Sequence, residues 1–246
     1  MSRAAGWLWA LALAGCAASV QHPQQAAAAD GVYHVTPVRP VAELLPAALA
    51  AAPPAESGEF RAADLVELTS LDPTIRLDIR YASTRNLLGT RIYSQARAFL
   101  QRPAAEALAR VARSLAPEGY GLLVHDAYRP WYVTRLFWDA VPPQLHRFVA
   151  DPAQGSRHNR GCAVDLTLYE LKSGREVGMP SLYDETTERA YPTYAGGTAA
   201  QRAARDLLRR HMERQGFTVY EFEWWHFDYR DWKSYPLQNM RFEEIP

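Results

Sequence analysis

At 246 residues the chain is long enough to bury the core of one sizeable domain. Its 27 basic residues are matched by 27 acidic ones, so the balance implies neither nucleic acid nor a strongly acidic surface as a partner. Two cysteines in unlike contexts exclude a disulfide framework.

The chain begins with a short positive region at Arg3 and an apolar run from Trp7 to Ala14, an export signal too short to span a bilayer as a mature helix. Leu13-Ala14-Gly15-Cys16 resembles the lipobox of bacterial lipoproteins, which implies cleavage before Cys16 and acylation of its thiol. Ala17 in the next position resembles the pattern of outer-membrane sorting, so the expected place is the cell envelope, facing the periplasm. Residues 17–62 are rich in Ala, Pro and Gln and read as a tether, with at most a turn or two of helix at Val41–Ala51. The catalytic domain is then expected over 63–246.

Within that domain Leu77–Tyr81 alternates like a strand, and Pro103–Leu115 has proline in its first turn and an apolar stripe of Leu108, Val111, Ala112 and Leu115. Tyr120–Val124 reads as a buried strand, and a helix is expected after Pro130. Cys162–Tyr169 is the clearest strand, with Val164, Leu166 and Leu168 on one face and Asp165, Thr167 and Tyr169 on the other. Ala199–Gln215 reads as a basic amphipathic helix carrying Ala203, Leu207, Leu208 and Met212 and closed by Gly216. Phe217–Phe222 completes the pattern as a strand. Strands and helices mix without regular alternation, so the expected class is α+β in a single catalytic domain.

A carboxylate alternating out of an apolar strand is costly unless it is paired or bound to a cation, which singles out Asp165. His158 precedes it by seven positions in a loop entering the strand. Glu223 and His226 follow the last strand, but residues three apart fall on opposite faces of a regular strand. Both can serve one site only if the backbone bends there, and spacing alone leaves that open.

The pattern Ser156-x-His158-x6-Asp165 followed by Glu223-x-x-His226 resembles the signature of the D-alanyl-D-alanine peptidase group, which also holds cell-wall endopeptidases and hedgehog-type domains. The strings LLVHDAYRP (122–130), GSRHNRGCAVDLTLY (155–169) and EWWHF (223–227) resemble the D-alanyl-D-alanine dipeptidases of the glycopeptide-resistance type. That resemblance implies a mainly antiparallel central sheet with flanking helices. It implies one Zn²⁺ on His158, Asp165 and His226, Glu223 as general base, and Arg129 stabilising the tetrahedral oxyanion. It also implies Asp184 and Tyr81 at the ammonium end of a D-Ala-D-Ala substrate, and Ser156 near its carboxylate. The resistance-type members carry a longer stretch between the arginine and histidine motifs than the span from Arg129 to His158, which puts the pocket rim in doubt.

Plainer roles compete for several of these residues. Asp184 also reads as a solvated loop acid beside Glu185, Cys162 as a buried thiol, and Trp224 and Trp225 as packing residues that wall the site. His22, His34, His146 and His211 read as non-functional, while His125 is a candidate to support the metal ligands. Two alternatives stand beside the dipeptidase: a D,D-carboxypeptidase acting on peptidoglycan stems, and a catalytically silent zinc-containing module that binds wall peptides. Glu223 and Arg129 together argue against the silent module, which needs neither.

Overall fold

The computed structural model describes residues 31–245. The export signal, Cys16 and His22 lie outside the described residues. From Gly31 onward the chain does not behave as the expected tether. Val32, Tyr33 and Val35 are buried, and α1 (Val41–Ala50) sets Val41, Leu44 and Ala48 into the core against α4 (Trp131–Ala140). Glu56 pairs with Arg160 and accepts from the Leu237 amide, and Arg61 pairs with Asp231. An Ala/Pro-rich composition masked these few anchoring side chains: the helix needs only one buried turn-to-turn stripe to dock.

Between α1 and α4 run β1 (Leu65–Glu67), the single turn α2 (Leu68–Leu71), β2 (Arg76–Leu77), β3 (Phe99–Gln101), α3 (Arg102–Leu115) and β4 (Tyr120–Asp126). After α4 come β5 (Ala163–Glu170), α5 (Ala199–Arg214), β6 (Phe217–Tyr220) and β7 (Glu223–Tyr229). The central sheet has the order β2-β4-β5-β7-β6; β2 is parallel to β4 and the remaining pairs are antiparallel. β1 and β3 form a separate antiparallel pair. The architecture is α+β, with a mainly antiparallel central sheet and flanking helices as expected.

The expected strand over Leu77–Tyr81 stops at Leu77, and Arg80–Ala82 closes into a 3₁₀ turn that buries Tyr81. α5 starts at a Thr198–Gln201 capping box and ends before Gly216, whose φ of +88° needs glycine. Its buried stripe runs through Ala204 rather than Ala203, with Leu207, Leu208 and Met212 as expected. The strand expected over Phe217–Phe222 is shorter, because the chain turns back at Glu221 and Phe222 and Glu223 begins its own strand.

Two register slips interrupt the regular pairing of the central sheet. Val124 pairs with Leu166 but Asp126 pairs with Asp165, so His125 is an extra residue in β4. Val219 pairs with Phe227 but Tyr220 pairs with Glu223, so Trp224, Trp225 and His226 arch away from β6. That arch is the bend the spacing left open.

Candidate active site and metal centre

Strand pairing brings the three candidate ligands together. Asp165 on β5 is the direct register partner of His226 on β7. His158 reaches them from the 3₁₀ turn His158–Arg160, which ends on Gly161 at a φ of +68°, where a side chain would strike Leu65. Asn159 sets that turn against the arginine motif: its amide donates to the Arg129 carbonyl at 2.8 Å and its Oδ1 accepts from the Ser156 amide at 2.7 Å. The Arg129 amide in turn donates to the His158 carbonyl at 3.1 Å.

The ligating atoms of His158, Asp165 and His226 all lie within 4.8 Å of one another, and all three side chains are buried. His158 Nε2 is 3.1 Å from His226 Nδ1 and 3.3 Å from Asp165 Oδ1, and His226 Nδ1 is 3.1 Å from the same oxygen. The outward nitrogens are engaged. His158 Nδ1 donates to the Ala127 carbonyl at 2.7 Å, and His226 Nε2 faces Asp228 Oδ1 at 2.9 Å. Those bonds turn two imidazole lone pairs inward, onto an Asp165 oxygen that has no hydrogen-bond partner among the described residues. Three acceptors converging without a donor are repulsive unless a proton or a cation sits between them. Burial alone would lower the His226 imidazolium, but Asp228 and Asp165 override it and hold it up at about 10. Two imidazoles and one carboxylate fit a hydrolytic zinc with an open position.

Around this cluster opens a cavity of about 410 Å³, and Tyr81, Arg129, Ser156, Asp184, Glu223 and Trp225 all line it. Glu223 Oε2 stands 3.8 Å from His226 Nδ1, close to the cluster but outside it. Burial pushes its carboxyl up to about 8 against the pull of His226. Arg129 is anchored by Asp126, with Nε 2.9 Å and Nη2 2.7 Å from Oδ2, while Nη2 lies 3.8 Å from Asp165 Oδ2. At the other side Tyr81 lies 3.0 and 3.1 Å from the two Asp184 oxygens. Burial, and next the Asp165 charge, push the Asp184 carboxyl up to about 7. Asp184 is half-buried and engaged by Tyr81 rather than free in solvent. Ser156 lines the cavity and its Oγ accepts from the His158 amide at 3.2 Å, so it also braces the ligand turn. The short span after Arg129 supplies rim residues: Arg147, Phe148, Val149 and Asp151 line the cavity.

The candidate metal, catalytic and substrate residues therefore meet in one place. His125 is one step removed. It packs its ring 4.8 Å from that of Tyr183, and burial and Arg80 lower it to about 3. Cys162 is a buried thiol pushed up to about 12 by burial. His34 bonds the Asn86 carbonyl, His146 stacks on Trp138, and His211 sits between Ser114 and Glu118. Trp225 walls the cavity, and Trp224 donates to Ser181 Oγ at 2.8 Å.

Sequence reasoning missed three supporting residues. Asp228 holds His226, and its position two residues on, hence on the same strand face, was a usable signal. Asp126 holds Arg129 and accepts from Tyr93 Oη at 2.8 Å; its place three residues before Arg129 in an otherwise apolar stretch was another. Tyr183, which bonds Asp165, carried no signal in spacing.

Residues 61–245 match the family described as D-ala-D-ala dipeptidase. Among relatives, a D-alanyl-D-alanine dipeptidase of Escherichia coli is 37% identical over 175 residues, covering 71% of this chain and 89% of that protein. One of Enterococcus faecium is 35% identical over 183 residues, covering 66% of this chain and 89% of that protein. A solved structure titled for the LdcB LD-carboxypeptidase overlaps with a TM-score of 0.41 at 18% identity, over 88% of this chain and 92% of that one.

Proposed function

Because the chain belongs to the D-alanyl-D-alanine dipeptidase family, we propose that it hydrolyses D-alanyl-D-alanine to two D-alanines, using one zinc ion per chain held by His158, Asp165 and His226. One observation carries this reading: the convergent ligand cluster, Glu223, Arg129 and the Asp184–Tyr81 pair all open on a single cavity. Zinc is favoured over other metals by the donor set, two imidazoles and a single carboxylate.

A zinc ion bound there supplies Lewis-acid polarisation and acidifies water to near neutral pH. The chain's own groups do the rest. With zinc held there, the ionised form of the Glu223 carboxyl, which burial otherwise raises to about 8, would be favoured, leaving it able to accept a proton. Glu223 takes the proton of the attacking water on a carboxylate oxygen and delivers it to the leaving nitrogen. Arg129, held in place by Asp126, keeps a fixed positive charge where the carbonyl oxygen becomes negative. Asp184 and Tyr81 receive the free ammonium, which sets the length of peptide accepted. Ser156 at the opposite motif is positioned for the substrate carboxylate.

Anchoring is a second part of the proposal. Leu13-Ala14-Gly15-Cys16 supports a mature lipoprotein acylated on Cys16, in the cell envelope and facing the periplasm. The decisive assay is release of D-alanine from D-Ala-D-Ala, compared with N-acetyl-D-Ala-D-Ala and a stem pentapeptide. Cleavage of the dipeptide alone is expected. Equal cleavage of the pentapeptide would make the protein a D,D-carboxypeptidase instead.

A further inference from the structure

Asp165 has two carboxylate oxygens in different surroundings. Oδ1 faces the two imidazoles and has no hydrogen-bond donor among the described residues. Oδ2 accepts from Tyr183 Oη at 3.0 Å, with Arg129 Nη2 at 3.8 Å. A carboxylate free on both oxygens can tilt and bind a metal through either or both. A donor committed to Oδ2 leaves only Oδ1 for the metal.

The same phenol reaches toward the substrate end. Tyr183 Oη is 3.3 Å from Tyr81 Oη, and Tyr81 donates to Asp184. Each hydroxyl has one proton. Tyr81 directs its proton to Asp184 and Tyr183 directs its own to Asp165, so the two oxygens touch while their bonds run to opposite sides. Tyr183 is only 8% exposed, and its ring is held against His125, Trp225 and Tyr81 with centroids 4.8, 5.5 and 6.3 Å away.

The backbone explains how neighbours 183 and 184 both enter the site. Consecutive residues of an extended chain point to opposite sides. Asp184 has φ of +62°, the single non-glycine residue with positive φ among those described, and this left-handed turn lets both side chains meet Tyr81. Such a conformation in a non-glycine residue is strained and persists where the surroundings over-determine it.

We propose that Tyr183 is a positioning residue that fixes Asp165 as a one-oxygen metal ligand. The proposal rests on the zinc site of the proposed function, not on the identity of its substrate.

The test uses the full chain with Tyr183→Phe and Tyr81→Phe. Zinc affinity is measured by competition with a chromophoric chelator, and the visible spectrum of the cobalt(II)-loaded protein reports coordination. Phenylalanine keeps the ring packing, so the zinc-free variant should melt within a few degrees of wild type. Tyr183→Phe is expected to weaken zinc by about 10- to 100-fold, the usual cost of removing a partner of a metal ligand, and to change the cobalt bands. Tyr81→Phe should leave both unchanged and raise KM for D-Ala-D-Ala. Zinc affinity in Tyr183→Phe within threefold of wild type, or an unchanged cobalt spectrum, would overturn the proposal and leave Tyr183 a packing residue. Neither measurement needs a substrate. A wild-type protein that fails to cleave D-Ala-D-Ala would therefore sink the dipeptidase reading without deciding the role of Tyr183.

Discussion

Asp184→Asn isolates the group proposed to make the site a dipeptidase rather than a carboxypeptidase. Asparagine is the right replacement because it keeps the shape and tolerates the φ of +62° at this position, where alanine would add backbone strain. Both Asp184 oxygens are within 3.1 Å of Tyr81 Oη, and the residue lines the cavity beside Asp165's charge. A hydrogen bond to a charged partner in such a setting contributes about 1.5–3 kcal/mol. At about 1.4 kcal/mol per tenfold, kcat/KM for D-Ala-D-Ala should fall roughly 10- to 150-fold. The N-acetyl dipeptide should lose nothing, since wild type already leaves the carboxylate unpaired against it, and the ratio between the two substrates should shrink by the same factor. The pH profile gives an independent check. Only the ionised carboxylate pairs with ammonium, and Asp184 sits at about 7, so one unit lower it is about a tenth ionised and kcat/KM drops accordingly. Asp184→Asn should lose that component of the acid limb and keep the one set by ionisation of Glu223. Stability should move the other way. A carboxyl with its folded pKa raised from 3.8 to about 7 loses stability as pH rises between those values, so Asp184→Asn should melt higher than wild type at pH 8. D-alanine release, a pH series and thermal melts cover all three readouts. Activity of Asp184→Asn within threefold of wild type on the dipeptide, with the acid limb intact, would refute the reasoning.

Glu223→Gln should retain zinc by elemental analysis yet lose at least the 10²–10⁴-fold that general acid–base catalysis supplies; a variant that sheds zinc would make Glu223 a ligand. His158→Ala and His226→Ala should each fall well below one zinc per chain, and full occupancy in either would remove that residue from the ligand set. Leu44→Ala should cost about 2–5 kcal/mol in a denaturant titration, because Leu44 is 7% exposed and packed in the core, whereas a flexible tether would lose nothing. Fatty-acid labelling should mark wild type and not Cys16→Ser, and wild-type protein released from membranes by high salt would contradict the anchor.

Which parts of this site were legible depends on how local their cause is. The helix over Arg102–Leu115 and the strand from Ala163 carry their own periodicity, so Pro103 and the alternation around Asp165 sufficed to draw them. The approach of Glu223 and His226 was not legible. It comes from a slip between β6 and β7, a property of two strands together rather than of either one. The docking of residues 31–62 escaped for a related reason: composition averages over a segment, while Val35, Leu44 and Ala48 dock it singly.

Both slips fall beside the ligands, and that is how an antiparallel sheet becomes a reactive centre. A regular β5 flanked by regular neighbours would pair Asp165 with His125 and keep Glu223 on the face opposite His226. The extra residue at His125 puts Asp126 beside Asp165 instead, where it anchors Arg129. The arch at Trp224–His226 swings Glu223 to 3.8 Å from a ligand nitrogen. The left-handed turn at Asp184 performs the same service for the loop, aiming two consecutive side chains at one tyrosine. Each is a local departure from period two, and each delivers one charged group to the cavity. Straightening any of them would withdraw one group from the site: the Asp126 anchor of Arg129, the proposed base Glu223, or the proposed ammonium acid Asp184.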